Sequence, residues 1–291
     1  MTNIPRHIDA EDLSTDVIEE RPLSQPTTMS YFLQRVKVAE IARCISDVVP
    51  HNPNTATCGT ILALDSKLES LIQNLPAFFR LEIADSEEIS LVDQTYPYIP
   101  LQRLVINSMI NLVRCKLHFP YLCGHPSKTL HIFSRHASLK AARQVISLHQ
   151  DIATSDIPHS ADFMKIQGTI LFMFIGALIL ATDLCCNQPH EDFERQSSEL
   201  MGVLNGLSRL KRHTQIAANF LEKLTQLLVK HRVWPSVMTG TGETQRDLDL
   251  ATSSPDNDLT EGPDFDAMPS FDDLWDTFIE RPSLLDMIDS M

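Results

Sequence analysis

Glycine is scarce in this chain, with nine residues in 291, and few Asn-Gly or Asp-Gly pairs punctuate it. Tight hairpins draw on residues that tolerate positive φ, so this scarcity argues against sheet-rich folds. Cysteine is sparse as well. The six at positions 44, 58, 115, 123, 185 and 186 follow no disulfide-framework spacing, which predicts reduced thiols. Residues 1–20 contain no basic segment leading into an apolar run, so no secretory leader is read there and the expected environment is intracellular. Enzyme signatures are missing too: no G-x-S-x-G elbow, Gly-rich phosphate loop, H-E-x-x-H pair or dinucleotide fingerprint occurs, and no catalysis is expected. The last absence is a long apolar run. The seventeen residues between Lys165 and Asp183 carry no charge, and Ile170–Ala181 is wholly apolar, but crossing a bilayer takes about 20 apolar residues. This stretch predicts a helix buried on all faces, and no membrane partner.

What is present is an apolar fraction of 43%, with Leu and Ala plentiful. Spread over a body of this length it can bury one large core or two modest ones, and one domain is expected. The expected fold is all-α, an irregular helical bundle with disordered termini. Residues 1–27, polar and interrupted by Pro5, Pro22 and Pro26, predict an extended lead-in. A first helix, capped by Thr28 or Ser30, carries Met29, Phe32, Leu33, Val36, Ile41, Ile45 and Val48 toward Pro50. Ile61, Leu64, Leu68, Leu71, Ile72 and Leu75 form the stripe of a second, and Phe78 and Phe79 plug the core behind it. Residues 82–100 are expected to connect it to a third helix over 101–118, with Leu104, Val105, Ser108, Met109, Leu112 and Cys115 on its inner face. A fourth starts at Ser134, with Leu139, Ala142, Val145, Ile146 and His149 inward and small residues at 137, 141 and 142 allowing close approach. Residues 191–211 and 214–232 complete a body spanning 28–238.

Charge is unevenly placed. Residues 243–291 hold fourteen Asp or Glu against Arg246 and Arg281, whereas the rest of the chain, net −14 overall, is nearly neutral. The tail, 239–291, opens with a Thr-, Ser-, Asp- and Gly-rich linker, and Ser254-Pro255 within it is a candidate phosphorylation site. Its second half places Phe271, Leu274, Trp275 and Phe278 at i, i+3, i+4 and i+7, one face of two helical turns, with Asp272, Asp273 and Asp276 elsewhere. Acids keep such aromatics solvated while the segment is free, and a groove on a partner lets it fold and bury them. Acidic activation segments share this pattern. Segment 271–288 is therefore the expected partner-binding element, its partners coactivator or mediator-type proteins. The alternative is that it folds back on the body as a last amphipathic helix.

Cys115, His118, Cys123 and His125, with His131 and His136 nearby, invite a metal reading. Their spacing does not match the paired ligands of a zinc knuckle, and packing is expected instead, with no cofactor in this chain. His118 and His149 are expected as hydrogen-bonded core or surface histidines. Arg209, Lys211 and Arg212 are a short basic cluster that a helix end or a nuclear import signal would explain equally well. With no basic stripe, the chain alone is not expected to grip DNA.

Several segments in order resemble the regulatory, or middle homology, domain of fungal zinc binuclear cluster (Zn2Cys6) transcription factors. Ile4-Pro5-Arg6-His7-Ile8-Asp9 and Pro26-Thr27-Thr28-Met29-Ser30-Tyr31 are similar to its lead-in and first helix. Asp65 through Leu75-Pro76-Ala77-Phe78-Phe79 resembles its D-x-x-L…L-P-x-F-F segment. Leu117-His118-Phe119-Pro120-Tyr121-Leu122 resembles its L-H-R-P-Y-L box, and Ser134-Arg135 with Leu139 and Ala141-Ala142 its S-R…C-L-x-A-A helix. Phe119 stands where the box usually has Arg, and Ser138 where the helix usually has Cys. No C-x(2)-C-x(6)-C run occurs, so the family's zinc ions and direct DNA reading are expected in a cluster domain absent from this chain or in a partner. The chain is expected to start inside the regulatory domain, as a truncated product or a protein without its DNA-reading head. The resemblance implies a nuclear transcription regulator, with homo- or heterodimerisation left open. Two alternatives are a helical metabolite sensor and a decoy that occupies the partners of full-length relatives.

Overall fold

The computed structural model describes residues 4–14, 19–48, 57–123, 129–163, 167–187, 192–211, 214–231 and 233. Among these the fold is all-α, without strands. Its helices are α1 (Ser30–Val48), α2 (Cys58–Gln73), α3 (Glu87–Thr95), α4 (Ile99–His118), α5 (Thr129–Thr154), the single turn α6 (Ser160–Phe163), α7 (Gln167–Cys186), α8 (Phe193–Leu210) and α9 (Gln215–Lys230).

α4 and α5 run antiparallel through the middle. Near one end the Cys115 thiol reaches the Ser138 carbonyl, and near the other Leu101 and Val105 pack with Ile152. One core lies on the α1–α2 side and includes Val38, Ile45, Ile61, Leu68, Ile106 and Ile110. The other gathers α5, α7, α8 and α9, with Phe174 of α7 stacked on Phe220 of α9 at 3.9 Å between ring centroids. In α7 every residue from Ile170 to Leu184 is buried except half-buried Phe172, as its uncharged sequence predicts. Among the described residues no helix is long and apolar enough to cross a membrane. The expected close approach at the small residues of α5 is present. A Cβ built on Gly176 of α7 would lie 2.8 Å from Ile146 Cγ1 and 3.4 Å from the Ala142 carbonyl.

Four expectations need correction. Residues 82–100 are not only a connection: Ser86 caps α3 by accepting from the Ile89 N–H, and Glu87 and Glu88 sit in the first turn, where the helix dipole favours them. The inner face of α1 runs through Ser30, Gln34, Val38 and Ile45, while Phe32 and Val48 are exposed. α5 begins at Thr129, ahead of Ser134. The thiols are not all reduced, because Cys123 and Cys186 form a disulfide. Their separation of 63 residues hides that pairing from any spacing rule, and only the fold brings them together.

The first residues dock on α1 through polar contacts. His7 donates from Nδ1 to the Arg21 carbonyl at 2.8 Å, and its Nε2 pairs with the Ser30 hydroxyl at 2.8 Å. Arg21 bridges Asp9 and Asp12, and Asp9 accepts from both the N–H and the hydroxyl of Thr28. The helix start is thus held by Asp9 and by Thr27, whose hydroxyl accepts from the Met29 N–H.

Candidate functional site

Helix α4 carries a column of polar side chains, Arg103, Asn107, Asn111, Arg114 and His118, at helical spacing along one side. Buried polar groups are costly unless paired, and each of these is paired. Arg103 donates Nε to the Phe78 carbonyl at 2.8 Å and grips the Asp93 carboxylate of α3 with both terminal nitrogens. Asn107 donates to the Phe79 carbonyl at 2.9 Å. Arg80 takes the Leu75 carbonyl, so the turn that inserts fully buried Phe78 and Phe79 has three of its carbonyls met by side chains.

The column ends in a buried node. Asp65 of α2 accepts Nε and Nη2 of Arg114 at 2.6 and 2.7 Å, and His118 Nε2 at 3.0 Å. Burial alone would raise the Asp65 carboxyl, but the hydrogen bonds from His118 and Arg114 outweigh it and hold it at about 2. Because an ionised carboxylate only accepts, Nε2 is the donor, which leaves Nδ1 to accept the Ser134 hydroxyl, 3.1 Å away, when the ring is neutral. The order Asp65, His118, Ser134 is that of a nucleophilic triad. Its chemistry is foreclosed here, because Ser134 and His118 are fully buried and Asp65 is already committed to Arg114. The node ties α2, α4 and α5 together. A neighbouring one ties α5, α7 and α8: fully buried Asp183 accepts from Arg135, Asn187 and Gln196.

The candidate ligands of a metal have other partners. Burial pushes the Cys115 thiol up to about 12, so it stays protonated beside the Ser138 carbonyl. His118 is in the node, His131 faces the Tyr121 carbonyl, Cys123 is in the disulfide, and His136 is exposed. His125 lies outside the described residues. Among the described residues no group of three or more His, Cys, Asp or Glu side chains is placed to hold a metal ion. His149 departs from expectation, since it is buried and neither ring nitrogen has a protein hydrogen bond among the described residues. Burial pushes its imidazole down to about 4.

Phe271, Leu274, Trp275 and Phe278, with Ser254, lie outside the described residues. On the body, one surface feature among the described residues is an open groove of about 410 Å³ between α1 and α2, lined by Lys37, Ile41, Lys67 and Leu71 among others. Sequence reasoning missed both the polar column and this groove. Polar residues in α4 count against an inner face when only apolar recurrence is read, although their spacing was visible.

The segments of family resemblance meet in these contacts: His7 with Ser30, Asp65 with His118, His118 with Ser134, and the Phe78-Phe79 turn with α4. The two departures are accommodated. Phe119 packs against the α7 core, and the Ser138 hydroxyl donates to the Ser134 carbonyl at 2.7 Å. Comparison with known proteins agrees with the resemblance. The chain is 31% identical over 238 residues to the probable transcription factor lepB of Aspergillus flavus, covering 79% of this chain and 42% of that one. It is 27% identical over 193 residues to the Zn(2)-C6 fungal-type transcription factor mpsB of Macrophomina phaseolina, covering 62% of this chain and 24% of that one. It is 24% identical over 233 residues to the pyrrolocin cluster transcription factor fsdR of a fungal species, covering 77% and 28%. No protein-family profile matches, and no solved structure does. The chain is homologous to a region of fungal Zn(2)-C6 transcription factors. It spans less than half the length of these curated relatives.

Proposed function

We propose that the chain is a nuclear transcription regulator that works through protein contacts, not catalysis, with DNA reading left to a zinc cluster domain or a partner. The observation that carries this is the similarity to transcription factors along 79% of the chain. The geometry is consistent with it: the polar residues matched to the family are spent on holding helices together, which leaves the surface and the tail for function. Residues 243–291, rich in acids and carrying Phe271, Leu274, Trp275 and Phe278, are the element offered to coactivator or mediator-type proteins. Fused to a heterologous DNA-binding domain, residues 243–291 should activate a reporter, and Trp275→Ala should reduce that output at least several-fold. A silent fusion, or one indifferent to Trp275→Ala, removes the activation tail from the proposal.

The α1–α2 groove supports a second function, metabolite sensing. Lys37 and Lys67 on its walls suit an anionic ligand, which so open a groove would hold at the surface. Thermal-shift screening of anionic metabolites, with Lys67→Glu as control, tests it. A stabilising hit abolished by that substitution would favour sensing, and none would remove it.

A further inference from the structure

We propose that Cys123 and Cys186 form a reversible thiol–disulfide modification site, a clasp between the turn after α4 and the end of α7 that opens and closes with the glutathione pool. This rests on the nuclear function proposed above. In a glutathione-reduced compartment a permanent structural disulfide is unusual, and paired cysteines there are typically transient and redox-sensing.

The placement of the pair supports a modification site over a structural staple. The bond joins positions 63 residues apart, with Cα atoms separated by 5.6 Å. Both cysteines are half-buried, neither being enclosed in the core. Cys115, by contrast, is fully buried with its thiol pushed up to about 12, and it offers no competing thiolate. The same junction is also held without the bond. Asn187 donates to the Leu122 carbonyl at 3.3 Å and to Asp183 at 2.8 Å, and Asp183 is fixed in turn by Arg135 and Gln196. Opening the disulfide therefore removes one local restraint and leaves the polar node that seats α7 against α5 and α8.

The chemistry is thiol–disulfide exchange. A glutathione thiolate attacks one sulfur of the pair, the S–S bond breaks, and the departing cysteine thiolate takes a proton from water. A second glutathione thiolate attacks the glutathione sulfur of the mixed disulfide, releasing glutathione disulfide and the second cysteine thiol. Closure is the reverse, with glutathione disulfide as the oxidant.

The test uses the full chain equilibrated in buffers from reduced glutathione to glutathione disulfide, followed by alkylation and mass mapping. Cys123 and Cys186 should be alkylated together in the reduced buffer, with helical circular dichroism retained, and protected together in the oxidised one. The oxidised form should unfold about 5–10 °C higher, and this difference should vanish in both Cys123→Ser and Cys186→Ser. A pair that stays bonded in millimolar glutathione, one that never closes in glutathione disulfide, or a thermal difference that survives in either serine variant overturns the proposal. The assay reads thiols and unfolding instead of transcription, so its failure leaves the reporter result standing, and a silent reporter leaves this titration readable.

Discussion

The part of the body around α2 and α4 is located by directional polar contacts, whereas the part around α7 is located mainly by shape. In the first, Arg103, Asn107, Arg114 and His118 each meet a particular carbonyl or carboxylate, so a helix shifted by one turn would leave buried donors empty. In the second, Phe174 on Phe220 and Gly176 under Ile146 set position by fit, and Asp183 supplies one polar anchor at the end. Hydrogen bonds of this kind tie residue identity to position, while an apolar contact accepts many side chains of similar volume.

The largest expected effect comes from breaking the polar side at its node. Asp65→Ala leaves His118 without its acceptor and Arg114 with only the part-exposed Glu69 carboxylate, 3.1 Å from Nη1, and should cost about 3 kcal/mol in urea unfolding. An unchanged midpoint would show that the node does not order the α2 side. Acid should separate two buried groups next. The His149 imidazole is held down to about 4, below the ~6.5 of free histidine, so between those values the unfolded chain binds a proton that the native chain refuses. Stability should therefore fall as pH drops from about 6.5 to 4, by up to about 3 kcal/mol. The stabilisation from Asp65 is present above about pH 4 and is lost only as pH falls toward 2. His149→Leu should flatten the first decline in denaturant titrations and leave the second, and an unaltered first slope would assign it to another group.

Fit on the α7 side is tested by Gly176→Val, which forces a branched side chain against Ile146 and should cost about 1–3 kcal/mol by the same measurement. Gly202→Ala on α8 is the smallest effect. A Cβ there meets nothing within 4 Å, so the change should stabilise by about 0.5–1 kcal/mol through helix propensity alone, and a loss would reveal a contact on that exposed face.

Much of the fold is legible in the sequence because apolar periodicity reports burial directly. Ile61, Leu64, Leu68 and Leu71 are buried as their spacing requires, Phe78 and Phe79 are plugs, and α7 is enclosed. Directional features are less legible. α3 escaped because prolines at 97 and 100 and the acids around it suggest a loop, although Ser86 followed by two glutamates is a helix start. On α1, Phe32 is a large apolar residue at a plausible phase, but polar Gln34 takes the inner position. The node, the disulfide and the groove each join residues far apart in sequence, and local patterns hold no record of such partners.

The enclosure of α7 also bears on synthesis. Ile170–Ala181 leaves the ribosome after α5, which covers one side of it, but before α8 and α9, so the nascent chain leaves the remaining apolar faces of that helix uncovered until Lys230 has emerged. Translation that stalled or ended in that interval would present a chaperone substrate instead of a folded domain, and the yield of this protein should depend on the last two helices arriving promptly.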